Sequence, residues 1–128
     1  MLKQTLKTLY RRDLEKLKQE IEAYKSEENL WLIEKDVINS AGNLTLHLMG
    51  NLNHFIGAEI CKTGYIRQRD LEFSMEFVPK NDLIKRIDET IEAVSMGFSK
   101  LTAEDLFNDY PLIVFQDKMT TGYFLIHL

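Results

Sequence analysis

The chain has 128 residues, a length typical of one domain, and we expect residues 1–128 to form a single unit. Its composition, 45% hydrophobic and 28% charged, excludes disordered and low-complexity proteins. Sixteen basic against twenty acidic residues give a net charge of −4, which argues against binding to nucleic-acid backbone or anionic lipid. The single cysteine, Cys61, cannot form an internal disulfide, and no apolar run approaches the ~20 residues of a membrane helix. We therefore expect a cytoplasmic protein without a membrane partner.

Residues 2 to about 25 carry the pattern of an amphipathic helix. Apolar side chains recur at steps of three and four between polar ones: Leu2, Leu6, Leu9, Tyr10, Leu14, Leu17, Ile21 and Tyr24. The pattern lasts about six turns at ~3.6 residues per turn, which is typical of a member of a helix bundle. A loop from Ser26 to Asp36 follows, and its apolar cluster from Leu30 to Ile33 is interpreted as a plug over one end of the bundle.

A second helix is predicted to begin after a cap at Asn39 or Ser40 and to run to about Lys62. Its predicted buried stripe is Leu44, Leu48, Leu52, Phe55 and Ile56. An interior glycine costs a helix up to ~1 kcal/mol relative to alanine, yet this helix contains Gly42, Gly50 and Gly57. Either a neighbouring helix approaches closely, or a ligand occupies the space beside the backbone.

The stretch from Thr63 to Asn81 contains Gly64 and Pro79 and is predicted to be an extended connection. The clearest helical pattern of the chain comes next, with a predicted cap at Asn81 or Asp82. Its apolar residues recur at steps of three and four: Leu83, Ile87, Ile91, Val94, Phe98 and Leu101.

The C-terminal part begins with Thr102 and Asp105, which have the spacing of a capping box and predict a short helix that Pro111 ends. Residues 112–115 are apolar and predicted to be extended. A last helix is predicted from Thr120 or Thr121 and is only about two turns long at Leu128, which makes it an unequal partner for the other three. The sequence therefore predicts an all-α four-helix bundle whose last helix is truncated.

The three histidines are the first candidates for chemistry. His47 and His54 are seven residues apart, about 10 Å at ~1.5 Å per residue, so they cannot readily share one metal ion. His127 is the only other histidine available to such a site. His47 is either a metal ligand, supported by Asn43 and Asn51, or a histidine at the core edge that bonds a neighbouring side chain. His54 is expected to be structural, and the pattern gives no preference for His127.

A charged run in the connection is the second candidate, and it consists of Arg67, Arg69, Asp70 and Glu72. The arginines could hold an anionic substrate, but pairing with the adjacent acids is the favoured interpretation. The chain has no phosphate-binding glycine loop, paired-cysteine motif or nucleophile elbow. Catalytic residues therefore stay unassigned.

The segment GNLTLHLMGNLNHFIGA, residues 42–58, resembles the second helix of the DinB-like (damage-inducible) family, and more closely an uncharacterised bacterial branch of it. The resemblance extends to residues 64–73 and 120–128. It implies an antiparallel four-helix bundle, often dimeric, with a divalent metal, zinc or nickel, on three histidines. His47 matches the histidine of the second helix. The other two form a His-x-x-x-His pair that would fall just beyond Leu128, and His127 lies one turn earlier on about the same face.

The resemblance also implies a function, since some relatives are thiol-dependent transferases in which the metal lowers the pKa of a bound small thiol. A metal-dependent enzyme that uses His47 and ligands from the last helix is one hypothesis. The alternative is a non-catalytic helical module that binds a partner or forms a homodimer through the glycine-bearing second helix.

Overall fold

A computed structural model describes residues 2–33, 39–102, 104–105 and 121 of the protein. Every regular element in these ranges is helical and none is a strand, which confirms the predicted all-α bundle. The four α-helices are α1 (Leu2–Glu22), α2 (Ala41–Leu52), α3 (Arg69–Ser74) and α4 (Lys80–Lys100). A 3₁₀ turn (Glu27–Trp31) and a π-helical segment (Asn53–Ala58) lie between them. None of the described helices is long and apolar enough to cross a bilayer.

The two longest helices, α1 and α4, pack antiparallel. Lys3 at the start of α1 donates to the carbonyl of Leu101 at 2.9 Å, whereas Lys18 near the end of α1 pairs with Asp88 at 2.9 Å. The predicted stripe of α4 is buried at Leu83, Ile87, Ile91, Val94 and Phe98. In α1, Leu6, Leu14 and Ile21 are buried and Tyr10 and Leu17 are half-buried, whereas Leu2 and Leu9 are exposed, contrary to the prediction. The regular sequence pattern of both helices therefore placed most of their core faces correctly.

The start of α4 differs from the prediction, because neither Asn81 nor Asp82 caps it. Pro79 occupies the cap position, and its carbonyl accepts from the backbone N–H groups of Asp82 and Leu83 at 2.9 and 3.1 Å. The fixed φ of proline suits a helix start, so the chain enters the helix before Asn81.

Helix α2 and the π-helical segment that continues it lie beside α4, and the π-helical segment and the residues after it run in the same direction as α4. The Asn53 amide donates to Thr90 Oγ1 at 2.7 Å, and eight residues later the carbonyl of Cys61 accepts from Lys100 at 3.1 Å. Two consecutive parallel helices need a long crossover connection. That connection is not wholly extended as predicted, since it contains α3, whose formation depends on tertiary contacts described below.

The buried face of α2 also differs from the prediction. Two residues of the predicted stripe, Leu52 and Ile56, are buried as expected, but Leu44 and Leu48 are 42% and 45% exposed. The other buried residues of α2 are Gly42, Asn43, Thr45, Leu46, Met49 and Gly50. Several of these residues are small or polar, which is why a search for apolar periodicity chose another face. A Cβ atom added to Gly42 would lie 2.7 Å from the six-membered ring of Trp31. The glycine therefore makes room for the Trp31 side chain.

Smaller predictions have mixed outcomes. Ser40 caps α2, because its hydroxyl oxygen accepts from the Asn43 backbone N–H at 3.1 Å. Only half of the predicted plug is inside, since Leu30 and Trp31 are buried whereas Leu32 and Ile33 are exposed. The predicted long second helix leaves α geometry at Leu52 and continues as the π-helical segment.

The predicted capping box is confirmed. The Thr102 N–H donates to Asp105 Oδ2 at 2.8 Å, and the Asp105 N–H donates to Thr102 Oγ1 at 3.1 Å. The short helix predicted to end at Pro111, the extended residues 112–115 and the last helix lie outside the described residues, apart from Thr121.

Candidate functional site

The buried side chain of Asn43 joins the end of helix α3 to α2. Its amide nitrogen donates to the carbonyls of Glu72 at 3.1 Å and Met75 at 2.8 Å, which satisfies acceptors at the end of α3. The Ser40 hydroxyl donates to Asn43 Oδ1 at 2.6 Å and fixes the orientation of the amide. Asn43 therefore positions α3, and within the described residues it makes no hydrogen bond to His47, for which it was a predicted supporting neighbour.

The centre of the site is the carboxylate of Glu72, whose side chain is only 6% exposed. Arg67 binds it in a bidentate manner, with Nε donating to Oε2 at 2.9 Å and Nη2 donating to Oε1 at 3.0 Å. On its other side lies Gly50, where an added Cβ atom would overlap the carboxylate. The glycine thus allows a charged group to lie directly against the backbone of α2.

The environment of Glu72 favours its ionised form. Burial alone would raise the pKa of this carboxyl, but the hydrogen bonds and positive charge of Arg67, together with the contact to His47, outweigh burial and lower the pKa below its usual value. Glu72 is therefore a carboxylate near neutral pH, and its charge is matched by Arg67.

His47 lies beside this carboxylate, with Nδ1 3.1 Å from Glu72 Oε1. A lone pair on Nδ1 would repel the carboxylate oxygen, so we assign the proton to Nδ1, which then donates to Glu72. The Arg67 Nη2 contact to Nδ1 is longer, at 3.3 Å, and does not compete. Phe73 covers one side of the imidazole with a centroid distance of 5.0 Å.

The second ring nitrogen, Nε2, points away from these contacts. It has no hydrogen bond within the described part of the chain, and 28% of the His47 side chain is exposed. In the assigned tautomer Nε2 carries a lone pair. The site therefore presents one oriented, accessible nitrogen ligand or proton acceptor.

Of the other predicted site residues, His54 lies on the π-helical segment, where its ring meets the edge of Phe55 at 4.7 Å, in keeping with a structural role. His127 lies outside the described residues. In residues 2–33, 39–102, 104–105 and 121, no group of three or more His, Cys, Asp or Glu side chains is arranged to hold a metal. The internal pairing predicted for the charged run is seen for Arg67 with Glu72.

Sequence reasoning did not connect Glu72 with His47 or with Gly50. A signal was present, because His47 and Gly50 are three residues apart and so share a helix face. A glycine on a helix face next to a histidine indicates that some group approaches the backbone there. The identity of that group could not be read, since it comes from α3, 25 residues from His47.

Comparison with known proteins gives one match. No curated protein and no solved structure matches the chain significantly. A family model described as a protein of unknown function, DUF1572, matches residues 2–116. The matched range contains all four described α-helices and the three residues of the Arg67–Glu72–His47 cluster. The chain therefore belongs to the DUF1572 family of helical proteins.

Proposed function

We propose that this protein binds a divalent metal ion, zinc or nickel, and that Nε2 of His47 is one of the ligands. The observation that supports the proposal is the pairing of Nδ1 with the buried carboxylate of Glu72. Histidine ligands of metals commonly donate their other ring N–H to a carboxylate, which fixes the tautomer and raises the basicity of the coordinating nitrogen.

Arg67 contributes to this arrangement indirectly. It holds Glu72 through two hydrogen bonds and keeps it ionised, so the imidazole is oriented by a group that cannot easily rotate. A histidine that served only to fill the core edge would also bond a neighbouring side chain. The two roles differ in their use of Nε2, because metal binding requires this atom and a purely structural role does not.

One histidine does not make a metal site, and we propose His127 as a second ligand. As a DinB-like protein the chain would then be a candidate thiol transferase. The metal would lower the pKa of a bound small thiol, which would then be present as the thiolate. His47, oriented by Glu72, would be the ligand of that metal on α2.

The test is the metal content of the purified protein, measured by inorganic mass spectrometry after preparation without chelators or metal-affinity columns. We expect stoichiometric zinc or nickel in the unaltered protein, and a loss of at least about tenfold in metal affinity for His47→Ala. His54→Ala is the matched control, because it removes a histidine from the same helical run, and it should keep its metal.

Thermal unfolding of the same variants separates the two roles of His47. Metal loss with a nearly unchanged melting temperature of the metal-free protein supports a ligand. A large fall in melting temperature, with no metal in the unaltered protein, would show that His47 is structural and that the proposal is wrong.

A second candidate function is a homodimerising helical module. The observation that favours it is the exposure of Leu44 and Leu48, one turn apart on α2. This face is distinct from the glycines that first suggested dimerisation, because Gly42 and Gly50 are covered by groups of the same chain.

A further inference from the structure

A cleft of about 310 Å³ opens between α2, the connection and α4, and it is lined by Glu72 but not by His47. Its floor is apolar and includes Leu46 and Met49, both almost fully buried. Its rim is polar and includes Tyr65, Arg86 and Glu89. An apolar floor with a few converging polar groups, at the lower end of the usual ~300–1,000 Å³, is the ordinary form of a small-molecule site.

The two charges on the rim have no partners in the described residues. Arg86 and Glu89 are three apart on α4 and so share one face, yet neither takes part in an ion pair or a side-chain hydrogen bond there. In contrast, the third charged residue of the cleft, Glu72, is already neutralised by Arg67. As far as the described residues go, the cleft thus offers one free cation and one free anion above an apolar surface.

Arg86 is close enough to the mouth of the cleft to act on Tyr65. Burial raises the pKa of the Tyr65 hydroxyl, and the positive charge of Arg86 is among the groups that partly offset the rise. Tyr65 therefore keeps its proton near neutral pH and adds a neutral donor to the rim.

We propose that this cleft binds a small zwitterion with an apolar tail, of the size and chemistry of a free apolar amino acid. Its carboxylate pairs with the guanidinium of Arg86, which suits planar carboxylates. Its ammonium pairs with Glu89, and its side chain lies on Leu46 and Met49. The proposed ligand does not contact the free nitrogen of His47, although Glu72 both lines the cleft and bonds His47.

Opposite charges at one rim favour a zwitterion over a simple acid or amine. A plain carboxylate would leave Glu89 facing the ligand unpaired, and a plain amine would do the same to Arg86. A plain carboxylate would also place its negative charge near Glu89, and a plain amine would place its positive charge near Arg86. Either repulsion costs binding energy. A zwitterion satisfies both groups at once.

Three probes with the same butyl tail test this directly: L-norleucine, hexanoate, which lacks the amine, and pentylamine, which lacks the carboxylate. Binding is measured on the whole protein by calorimetric titration and by backbone amide NMR shifts. We expect norleucine to bind at least about tenfold more tightly than either of the others, a difference of about 1.4 kcal/mol. The largest shifts should fall at Met49, Tyr65 and Gln68, which line the cleft.

Variants on the surface of α4 supply the matched controls. Arg86→Gln and Glu89→Gln should each weaken norleucine binding by at least about tenfold, whereas Lys85→Gln and Glu92→Gln, also exposed on α4, should not. Norleucine should bind equally well with and without a metal chelator, which separates this site from the metal proposal. Equal binding of the three probes, no detectable norleucine binding, or equal effects of the target and control variants would each overturn the proposal.

Discussion

Gly50 illustrates how much one missing side chain matters in this protein. The carboxylate of Glu72 occupies the space that any Cβ atom at position 50 would need. Because Glu72 is fixed by Arg67 and contacts His47, it cannot move aside without losing hydrogen bonds. The absence of a side chain at Gly50 is therefore a requirement of the site, and its helix-weakening cost is offset by these contacts.

We expect Gly50→Ala to lower the free energy of unfolding by about 1–3 kcal/mol, the usual cost of leaving a buried polar group without partners. Gly57→Ala is the matched control, since the nearest atom to its added Cβ would be 3.5 Å away. That variant should be neutral or gain up to ~1 kcal/mol from better helix propensity. Chemical denaturation measures both, and equal effects of the two substitutions would contradict this account of Gly50.

Single residues were predictable where the reason was local. The Ser40 cap and the Thr102 and Asp105 box depend on groups three residues apart. The cap was predicted from residue type, at Asn39 or Ser40, and the box from its spacing. The contact of His47 with Glu72 was not predictable, because the two residues are 25 apart and Glu72 lies on α3, a helix that has no clear sequence pattern.

Among the elements, α3 is the helix that depends most on tertiary contacts for its stability. Six residues are too few for a stable isolated helix. Asn43 binds its last carbonyls, and Glu72 anchors its centre to Arg67. Propensity within residues 63–79 therefore could not reveal the helix, whereas α1 and α4 were visible because each repeats its apolar pattern over 21 residues.

The interface of α1 with α4 contains an ionisable residue, Tyr10, that makes the stability of the fold depend on pH. Tyr10 packs on Phe98 with a ring centroid distance of 5.4 Å, and burial raises the pKa of its hydroxyl strongly. In the unfolded chain the same hydroxyl ionises near pH 10. Its neutral form therefore stabilises the fold below about pH 10, and this contribution is lost as the pH rises above that value.

We expect the unfolding free energy of the unaltered protein to fall relative to that of Tyr10→Phe above about pH 10, by up to ~1.4 kcal/mol per pH unit. Denaturation curves at several pH values between about 8 and 11 measure the difference. Parallel curves for the two proteins would show that Tyr10 ionises as easily in the fold as in the unfolded chain.

For the whole molecule, the oligomeric state is the property that the exposed face of α2 would control. If a homodimer forms there, light scattering after gel filtration should give twice the mass of the chain. The double variant Leu44→Glu with Leu48→Glu should then be monomeric, since two buried charges per subunit oppose association. Leu32→Glu with Ile33→Glu, on another exposed apolar pair, is the control and should stay dimeric. A monomeric unaltered protein would exclude this second function.

The all-α architecture was accessible from the sequence because two strongly periodic helices supply most of the core. The direction of α2 relative to α4 and the rotation of α2 about its axis were not accessible. Both depend on which groups lie against Gly42 and Gly50, namely Trp31 and Glu72, and neither group belongs to a periodic pattern.

The pairing of α1 with α4 has a consequence for synthesis. Lys3 contacts Leu101 and Lys18 contacts Asp88, so α1 cannot complete its core until the chain has grown by about eighty further residues. At a synthesis rate of about 5–20 residues per second, the apolar face of α1 therefore stays exposed for several seconds while the chain is on the ribosome. A nascent chain stalled before residue 80 should therefore be a good substrate for chaperones that recognise exposed amphipathic helices, and one released after residue 100 should not.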